Sequence, residues 1–593
     1  MLASLALSAL PAGTVRSESL VDAAKVQWQW DVKIPLRDGV RLSGTLYRPA
    51  HQSESRPCVF TLTPYIAQTY HDRGIFFAAH GYPFLTVDVR GRGNSEGSFR
   101  PFIQEANDGY DVVEWLAKQP YCNGRIAMWG GSYSGYDQWA TAKMFPPHLA
   151  TIVPVAAPAA GVDFPSRNNV PTNYAVRWLV FTGGHTSQDR IFGDDAFWVQ
   201  SFRRFIESGT AYRKLDRFIG DSSPVFQAWV DHPDFDTYWA AYNPTDDQYA
   251  RLDLPILTIT GLYDDDQPGA LAHYRRHMRV ASPTARARHF LVIGPWDHAG
   301  TRTPKQEFMG LKFGPASLLD IPQLHLDWYR YTMEGGPKPE FLRAGVAYYV
   351  SGAERWRYAE TLESITSEER PFFLDSAGDS ARDPYSAGML SPAHRGQGAS
   401  DHYRYDPRDV TLAKIESESN LDSVLDREVT LANPAKLVYV SEPFGQDQEL
   451  SGFFRLRAWI AIDQPDTDFV VTVSEISPQG TVIPLSSDLI RARYREGSGH
   501  QQLVTTPEPL PYDFDHFTFA SRWVPKGGRL EVLISAANSI QNQKNYNGGG
   551  VVADETMADS RVVTVKVFHD AKRQSVLYVP FAAPAAASAG HEH

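Results

Sequence analysis

One stretch of the sequence limits the fold more than any other: residues 126–139, which read IAMWGGSYSGYDQW. A mostly apolar run leads into two glycines, Ser132 follows, and the residues after it favour a helix that begins near Ser134. A strand that turns sharply on glycine into a helix holds the intervening side chain above the edge of a sheet. The stretch therefore predicts an α/β fold in which Ser132 occupies a strand–turn–helix junction.

Strand-like and helix-like segments alternate from about Val26 to Val155, and the pattern resumes in residues 254–266 and 286–300. Such alternation predicts a parallel sheet with helices on both faces. Residues 161–250 are rich in aromatic residues with helical periodicity, and from about Thr366 short alternating segments predict an all-β sandwich. The predicted segments are 1–25 (signal segment or disordered tail), 26–160 and 251–365 (α/β core), 161–250 (helical cap insertion), 366–580 (β-sandwich) and 581–593 (disordered tail).

Length and charge limit the kinds of protein to which the chain can belong. The 593 residues exceed the size of one hydrophobic core, so two or three domains are expected. The formal net charge of −12 repels phosphate backbones and anionic lipids, so nucleic acid is not an expected partner. No apolar run is long enough to span a membrane. The start, MLASLALSALPAG, resembles a secretory leader but lacks preceding basic residues, which leaves export and a cytoplasmic location open.

The chain contains two cysteines, Cys58 and Cys122, which excludes a disulfide scaffold and a multi-cysteine zinc site. Both precede apolar runs that are compatible with neighbouring strands, so a single bridge is one interpretation. Two buried free thiols are the favoured expectation.

A serine at such a turn becomes a nucleophile only with a base, and the base needs an orienting carboxylate. In an α/β-hydrolase these residues follow in the order Ser, acid, His, each after a later strand. Asp264 follows the run PILTITGLY and His298 follows HFLVIGPWD, so Ser132, Asp264 and His298 are the predicted catalytic residues. Asp265 and Asp266 are the alternatives for the acid, since any of the three aspartates could instead cap the following helix.

The nucleophile motif departs from G-x-S-x-G, because its second glycine is Gly135 rather than residue 134. No glycine-rich oxyanion loop follows the run that begins at Cys58; the loop there reads TLTPYIAQ. We expect the Tyr65 hydroxyl and the Tyr133 amide to form the oxyanion hole, with a packing role for Tyr65 as the alternative. The stretch VDVRGRGNSEG does not fit the G-x-G-x-x-G spacing, which argues against a nucleotide cofactor.

Together these residues resemble the cocaine-esterase family of serine hydrolases and its relatives, the X-Pro dipeptidyl peptidases, glutaryl acylases and α-amino acid ester hydrolases. The motifs that carry the likeness are TPY ending at Tyr65, DVRGRGNSEG, GGSYSGYDQW, GLYD ending at Asp264, GPWDH ending at His298, and RARYRE in the last domain. The resemblance implies an α/β-hydrolase core with an inserted helical cap and a C-terminal jelly roll. It also implies the triad and oxyanion residues named above.

The expected substrate is a small acyl ester, an amide or a short peptide, with no metal and no cofactor. Aromatic cap residues are expected to line an acyl pocket: Trp178, Phe181, Phe197, Trp198 and Phe202. If Asp266 faces that pocket, substrates with a free amine become the alternative, as in X-Pro dipeptidyl peptidases and amino acid ester hydrolases; Gln267 stands where a second carboxylate would be expected. A non-catalytic binding protein is the remote alternative, and assembly into a homo-oligomer is left open.

Overall fold

The computed structural model describes residues 25–396, 398–419 and 423–583. The predicted leader lies outside the described residues except for Lys25. The final strand runs through Ala582, into the segment predicted to be disordered, and residues 584–593 of that segment lie outside the described residues.

The strands, in chain order, are β1 (Val26–Pro35), β2 (Arg41–Pro49), β3 (Arg56–Thr63), β4 (Phe84–Asp88), β5 (Cys122–Gly131), β6 (Leu149–Val155), β7 (Ser166–Arg167), β8 (Val170–Pro171), β9 (Ile256–Tyr263), β10 (His289–Asp297), β11 (Glu307–Phe308), β12 (Leu311–Lys312), β13 (Val346–Val350), β14 (Arg355–Ala359), β15 (Thr366–Asp375), β16 (Gly388–Ser391), β17 (Ser400–Tyr405), β18 (Lys436–Ser441), β19 (Gln448–Gly452), β20 (Arg455–Ile462), β21 (Asp468–Ile476), β22 (Val482–Arg491), β23 (Leu510–Phe514), β24 (Ala520–Val524), β25 (Arg529–Ala536), β26 (Val563–Phe568) and β27 (Val576–Ala582).

The α-helices are α1 (His71–Ala79), α2 (Glu105–Leu116), α3 (Tyr133–Ala142), α4 (Tyr174–Phe181), α5 (Asp189–Phe192), α6 (Asp195–Ser208), α7 (Leu215–Phe218), α8 (Pro224–Asp231), α9 (Thr237–Ala240), α10 (Asp246–Arg251), α11 (Gln267–Val280), α12 (Pro283–Arg286), α13 (Ile321–Glu334), α14 (Thr411–Glu418) and α15 (Glu428–Ala432).

A ten-stranded sheet in the order β1-β2-β4-β3-β5-β6-β9-β10-β13-β14 forms the core. Its central strands, from β4 to β13, pair in parallel, and antiparallel strands complete both edges. Apolar clusters cover the two faces of the sheet, as expected for buried parallel strands. The predicted α/β fold is confirmed. Because parallel strands present their carboxyl ends at one edge, the loops after β3, β5, β9 and β10 meet there.

Helices α4 to α10 fill the chain between the short β7–β8 hairpin and β9, and their aromatic residues form one buried cluster with Tyr133 and Trp178. Beyond residue 365, thirteen strands form the predicted all-β unit around its own apolar core. None of the helices in the described ranges has the length and apolar character needed to cross a lipid bilayer.

The expectation of two free thiols is wrong, because Cys58 and Cys122 form a disulfide. β3 and β5 are direct parallel neighbours in the sheet, which brings the two Cα atoms to 5.7 Å. That separation is the usual one for a bridged pair. Strand order across the sheet decided the pairing, and hydrophobic periodicity does not reveal strand order.

Candidate active site

Ser132 lies between the end of β5 and the start of α3 in a strained conformation, with φ 62° and ψ −131°. A positive φ is rare for a residue with a side chain, and it lifts the hydroxyl above the strand ends. A Cβ at Gly135 would lie 2.7 Å from Val155 O, so this glycine lets α3 pack close to β6. The shifted glycine of the motif therefore still performs the packing role that the turn needs.

Tyr65, in the loop after β3, contacts this serine. Its Oη lies 3.1 Å from Ser132 Oγ and accepts a hydrogen bond of 3.2 Å from the Trp178 indole. Burial raises the pKa of Tyr65 above its ordinary value, so the phenol stays protonated and able to donate. Because Trp178 occupies an acceptor position on Oη, the phenolic proton is free to point toward Ser132.

The Tyr133 amide is the other predicted oxyanion donor. As the first residue of α3, Tyr133 has an amide with no partner inside the helix. Its side chain is held from behind: Tyr133 Oη donates to Glu105 at 2.6 Å and accepts from the Phe102 amide at 2.5 Å. This buried network holds the first turn of α3 in place.

Asp264 and His298 come together across the ends of β9 and β10. His298 Nδ1 lies 2.8 Å from Asp264 Oδ1, and Asp264 Oδ2 accepts a hydrogen bond from Thr260 at 2.8 Å. The Asp264 carboxylate is buried, so it holds the imidazole ring in one orientation. No hydrogen bond joins Ser132 to His298 in the described part of the chain; in enzymes without substrate this contact is often long.

Charges around His298 set its protonation. Burial lowers its pKa, but Asp266 and Asp264 raise it by a greater amount, and the net pKa is raised above the ordinary value. The positive charge of Arg302 acts in the opposite direction. His298 is therefore protonated at weakly acidic pH and becomes a base as the pH rises.

Comparisons with known proteins agree with this geometry. The model of the X-Pro dipeptidyl-peptidase (S15 family) matches residues 38–300, and that of the X-Pro dipeptidyl-peptidase C-terminal non-catalytic domain matches residues 341–575. The chain therefore contains an S15-family domain followed by the C-terminal domain of X-Pro dipeptidyl-peptidases. It is a serine hydrolase, as the sequence predicted.

The relatives of this S15 hydrolase have several named activities. The cocaine esterase of Rhodococcus sp. (strain MB1 Bresler) is 26% identical over 580 residues, covering 93% of this chain and 98% of that one. A solved α-amino acid ester hydrolase has a TM-score of 0.81 at 21% identity, covering 98% and 99% of the two chains. An aminopeptidase from a Thaumarchaeota archaeon has a TM-score of 0.79 at 21% identity, covering 94% and 97%. These structural likenesses establish the shared fold.

Asp266 also lies in the site of this S15 hydrolase. Its Oδ2 is 3.7 Å from His298 Nδ1, and its side chain is 16% exposed. Burial raises the pKa of Asp266 well above its ordinary value. Gln267 points elsewhere: it is buried, with its amide on Gly261 O and on the backbone of Phe519 in the sandwich. Gln267 therefore connects the active-site edge to the β-sandwich.

The predicted cap residues fall into two groups: some contact Tyr65, and the others are buried within the cap. Phe181 is half-buried and stacks on Tyr65 with ring centroids 5.5 Å apart, and Trp178 is buried against Tyr65 and Tyr133. Trp198 is buried farther inside the cap, where its indole donates to Ile191 O and its ring packs on Phe197 and Phe202. Trp198, Phe197 and Phe202 thus pack on one another within the cap.

The motif DVRGRGNSEG supports the loop that carries Tyr65 through Asp88 and Arg92, and sequence reasoning missed the role of Arg92. Asp88 accepts the Ala67 amide at 2.6 Å, which anchors the loop that carries Tyr65. Arg92 is buried and donates to Pro64 O at 2.7 Å and to Gly183 O at 2.9 Å, which ties the same loop to the cap. The closely spaced glycines were the available signal, since a Cβ at Gly93 would collide with the Asp88 carboxylate.

A cavity of about 550 Å³ lies between the cap and the sandwich, lined in part by Trp229, Tyr494, Arg491 and Arg493. None of the predicted catalytic residues lines it. Within the described ranges, no group of three or more His, Cys, Asp or Glu side chains is arranged to hold a metal ion.

Proposed function

We propose that this S15 hydrolase cleaves esters or amides of bulky, uncharged acids through an acyl-enzyme on Ser132. The observation that carries the proposal is the 3.1 Å contact between Tyr65 Oη and Ser132 Oγ at a strained turn, in a sheet whose next loops hold the Asp264–His298 pair. The activity named for the Rhodococcus relative, which matches nearly the whole chain, agrees with it.

In the proposed mechanism, Ser132 Oγ attacks the substrate carbonyl while His298 Nε2 takes its proton. Asp264 keeps Nδ1 protonated and stabilises the imidazolium that forms. The Tyr65 hydroxyl and the Tyr133 amide donate hydrogen bonds to the developing oxyanion. His298 then gives its proton to the leaving group, and a water molecule activated by the same histidine releases the acid.

The aromatic surface beside Tyr65 supports the choice of acyl group. Phe181 stacks on Tyr65 and on Phe192, whose centroid is 4.2 Å away, and these rings offer an apolar wall to the acyl chain. We expect the residues of the helical insertion to select bulky, uncharged acids by burying them against this wall.

A pre-steady-state experiment tests the proposal. On mixing the protein with an excess of a 4-nitrophenyl ester, we expect a burst of nitrophenolate close to one equivalent per protein molecule, and acid quenching should trap the acyl group on a peptide that contains Ser132. Turnover without an acyl adduct on Ser132 would contradict the proposed nucleophile.

A second candidate function, action on substrates with a free amine, rests on Asp266. Its part-exposed carboxylate beside His298 could bind an ammonium group. We expect only a weak preference, because Gln267 is engaged with Gly261 and Phe519 and adds no polar group to the site. An isolated carboxylate also loses hydration when it is buried.

The test compares kcat/KM for phenylglycine methyl ester with that for phenylacetic acid methyl ester, in the wild type and in Asp266→Asn. We expect the ratio to stay within about threefold of unity in both proteins. A strong preference for the amine that disappears in Asp266→Asn would instead assign the chain to amino acid ester or peptide hydrolysis.

A further inference from the structure

Two arginines lie beside the candidate active site without carboxylate partners. Arg302 follows His298 by four residues, and Arg73 lies on α1, shortly after the loop that carries Tyr65. Neither guanidinium forms an ion pair with any carboxylate of the described chain, and Arg302 Nη1 is buried without a hydrogen-bond partner there. A buried guanidinium nitrogen without an acceptor is costly, so this arrangement suits an anion that arrives with the substrate.

The loop after β10 holds Arg302 close to His298. Thr301 donates from its amide to Asp297 O at 3.1 Å and from its hydroxyl to His298 O at 2.7 Å. This tight turn allows Arg302 little freedom to move away. The Arg302 charge also lowers the pKa of His298, which is consistent with their proximity.

Gly131 makes room for the Arg302 guanidinium directly beside the nucleophile. A Cβ at Gly131 would collide with Arg302 Nη1 and lie 2.7 Å from its Cδ. Any residue other than glycine would displace the side chain from the position next to Ser132. The chain therefore combines a glycine before the nucleophile with an arginine that fills the space.

Arg73 lies against the same loop. Its Nη2 donates long hydrogen bonds to Arg302 O at 3.3 Å and to Thr303 Oγ1 at 3.4 Å. Burial and then the charge of Arg302 lower its pKa, while Asp72 and Asp320 act on it only from beyond ion-pair distance. The guanidinium groups of Arg73 and Arg302 thus lie next to each other without carboxylate partners, although the formal net charge of the chain is −12.

We propose that Arg302, assisted by Arg73, binds a carboxylate on the leaving part of the substrate. The proposal rests on the proposed function, because it assumes acyl transfer at Ser132. His298 must deliver its proton to the leaving group, so the leaving group departs past the loop that carries Arg302. The aromatic wall of Phe181 and Tyr65 adjoins the cap and suits the acyl group. The preferred substrates are then esters or amides whose released alcohol, phenol or amine carries a carboxylate.

Matched chromogenic esters test this assignment. 4-Nitrophenyl butanoate and 3-carboxy-4-nitrophenyl butanoate share an acyl group and differ by a carboxylate on the leaving group. 4-Nitrophenyl pentanoate and 4-nitrophenyl hydrogen glutarate place the carboxylate on the acyl part instead. Rates are divided by those of alkaline hydrolysis and measured on the plateau of the pH profile, because the Arg302 charge also affects His298.

We expect the wild type to prefer the carboxylated leaving group by about tenfold to a hundredfold in kcat/KM, mainly through KM. Arg302→Gln should remove most of that preference and Arg302→Lys should retain part of it. Gly131→Ala should reduce the preference by displacing the guanidinium, although it leaves the charge in the protein. Arg286→Gln, at an exposed arginine of α12, removes the same charge and should leave the preference intact.

Wild-type turnover of 4-nitrophenyl butanoate without a preference for its carboxylated partner would overturn the inference and leave the proposed function standing. An equal preference in Arg302→Gln, or a preference confined to the glutarate ester, would also overturn it. No turnover of any ester would contradict the proposed function itself.

Discussion

Two parts of the molecule bring a serine, a histidine and an aspartate together, one at the edge of the core sheet and the other inside the β-sandwich. In the sandwich, Asp401 accepts hydrogen bonds from Ser376 at 2.5 Å and Tyr439 at 2.8 Å, and its Oδ2 lies 3.0 Å from His569 Nε2. All four side chains are buried; Ser376 and His569 directly follow strands, Asp401 and Tyr439 lie within strands, and none of the four residues has a positive φ.

At the core sheet the same residue types have different surroundings. Ser132 has a strained backbone, its hydroxyl touches a protonated phenol, and the histidine contacts the aspartate through Nδ1, which leaves Nε2 for the serine. In the sandwich, Ser376 donates its hydroxyl proton to Asp401, and His569 uses Nε2 for the same aspartate, with Ser376 Oγ at 3.5 Å from that nitrogen. The contrast teaches that the same residue types can meet in two arrangements. Of these two, the one at the core sheet combines a strained serine, a phenol donor and a histidine with Nε2 left free, which are the features expected of an activated serine.

Replacing the serine of each cluster should give the largest difference between them, in kcat and in the free energy of unfolding. Ser132→Ala should lower kcat for 4-nitrophenyl esters by about 10⁵ or more with the fold intact, because the nucleophile is lost. Ser376→Ala should keep wild-type kcat and lower the free energy of unfolding by about 1 to 2 kcal/mol. Steady-state kinetics and urea unfolding measure both effects; substantial activity in Ser132→Ala would remove it from the mechanism.

The two aspartates form the next pair. Asp264→Asn should lower kcat by about 10⁴, because His298 loses the partner that selects its tautomer. Asp401→Asn should leave kcat unchanged and destabilise the sandwich by about 3 kcal/mol, since its buried donors lose a charged acceptor. Full activity in Asp264→Asn, together with a loss in Asp265→Asn, would reassign the acid to Asp265.

Replacing the tyrosine of each cluster, Tyr65 or Tyr439, should give a smaller difference in kcat. Tyr65→Phe should lower kcat by roughly 10² to 10³ and leave KM nearly unchanged, because an oxyanion donor acts mainly in the transition state. Tyr439→Phe is the matched control, and its effect should be confined to stability. Wild-type kcat in Tyr65→Phe would return Tyr65 to a packing role.

The smallest effect concerns pH. The acid limb of kcat/KM should lie above the ordinary imidazole pKa, because the carboxylates of Asp266 and Asp264 raise the pKa of His298. Activity requires neutral His298, so it should appear as the pH rises through that raised value. Asp266→Asn removes one of the two negative charges and should move the limb to lower pH. An unmoved limb would show that Asp266 does not act on His298.

Much of this arrangement was predictable from sequence. The α/β core, the all-β unit and the serine hydrolase class are confirmed. Ser132, Asp264 and His298 each follow an apolar run, and parallel strands end at one edge, so chain order alone indicated that they meet. Their catalytic roles stay predictions that the variants above test.

Other features depended on relationships that periodicity does not encode. The Cys58–Cys122 bridge needed the order of strands across the sheet. The hydrogen bond from the Trp178 indole to Tyr65 depends on how α4 packs on the core. Arg302 gave no sequence signal, because its position beside Gly131 depends on the turn after β10.

The most direct test of the central claim is labelling with a fluorophosphonate, which reacts only with an activated serine. Peptide mapping of the wild-type protein should locate one equivalent of label on Ser132, with none on Ser376, and Ser132→Ala should remain unlabelled. A wild-type protein that resists the reagent, or a label that persists in Ser132→Ala, would contradict the claim that the strained turn and its neighbours make Ser132 the nucleophile.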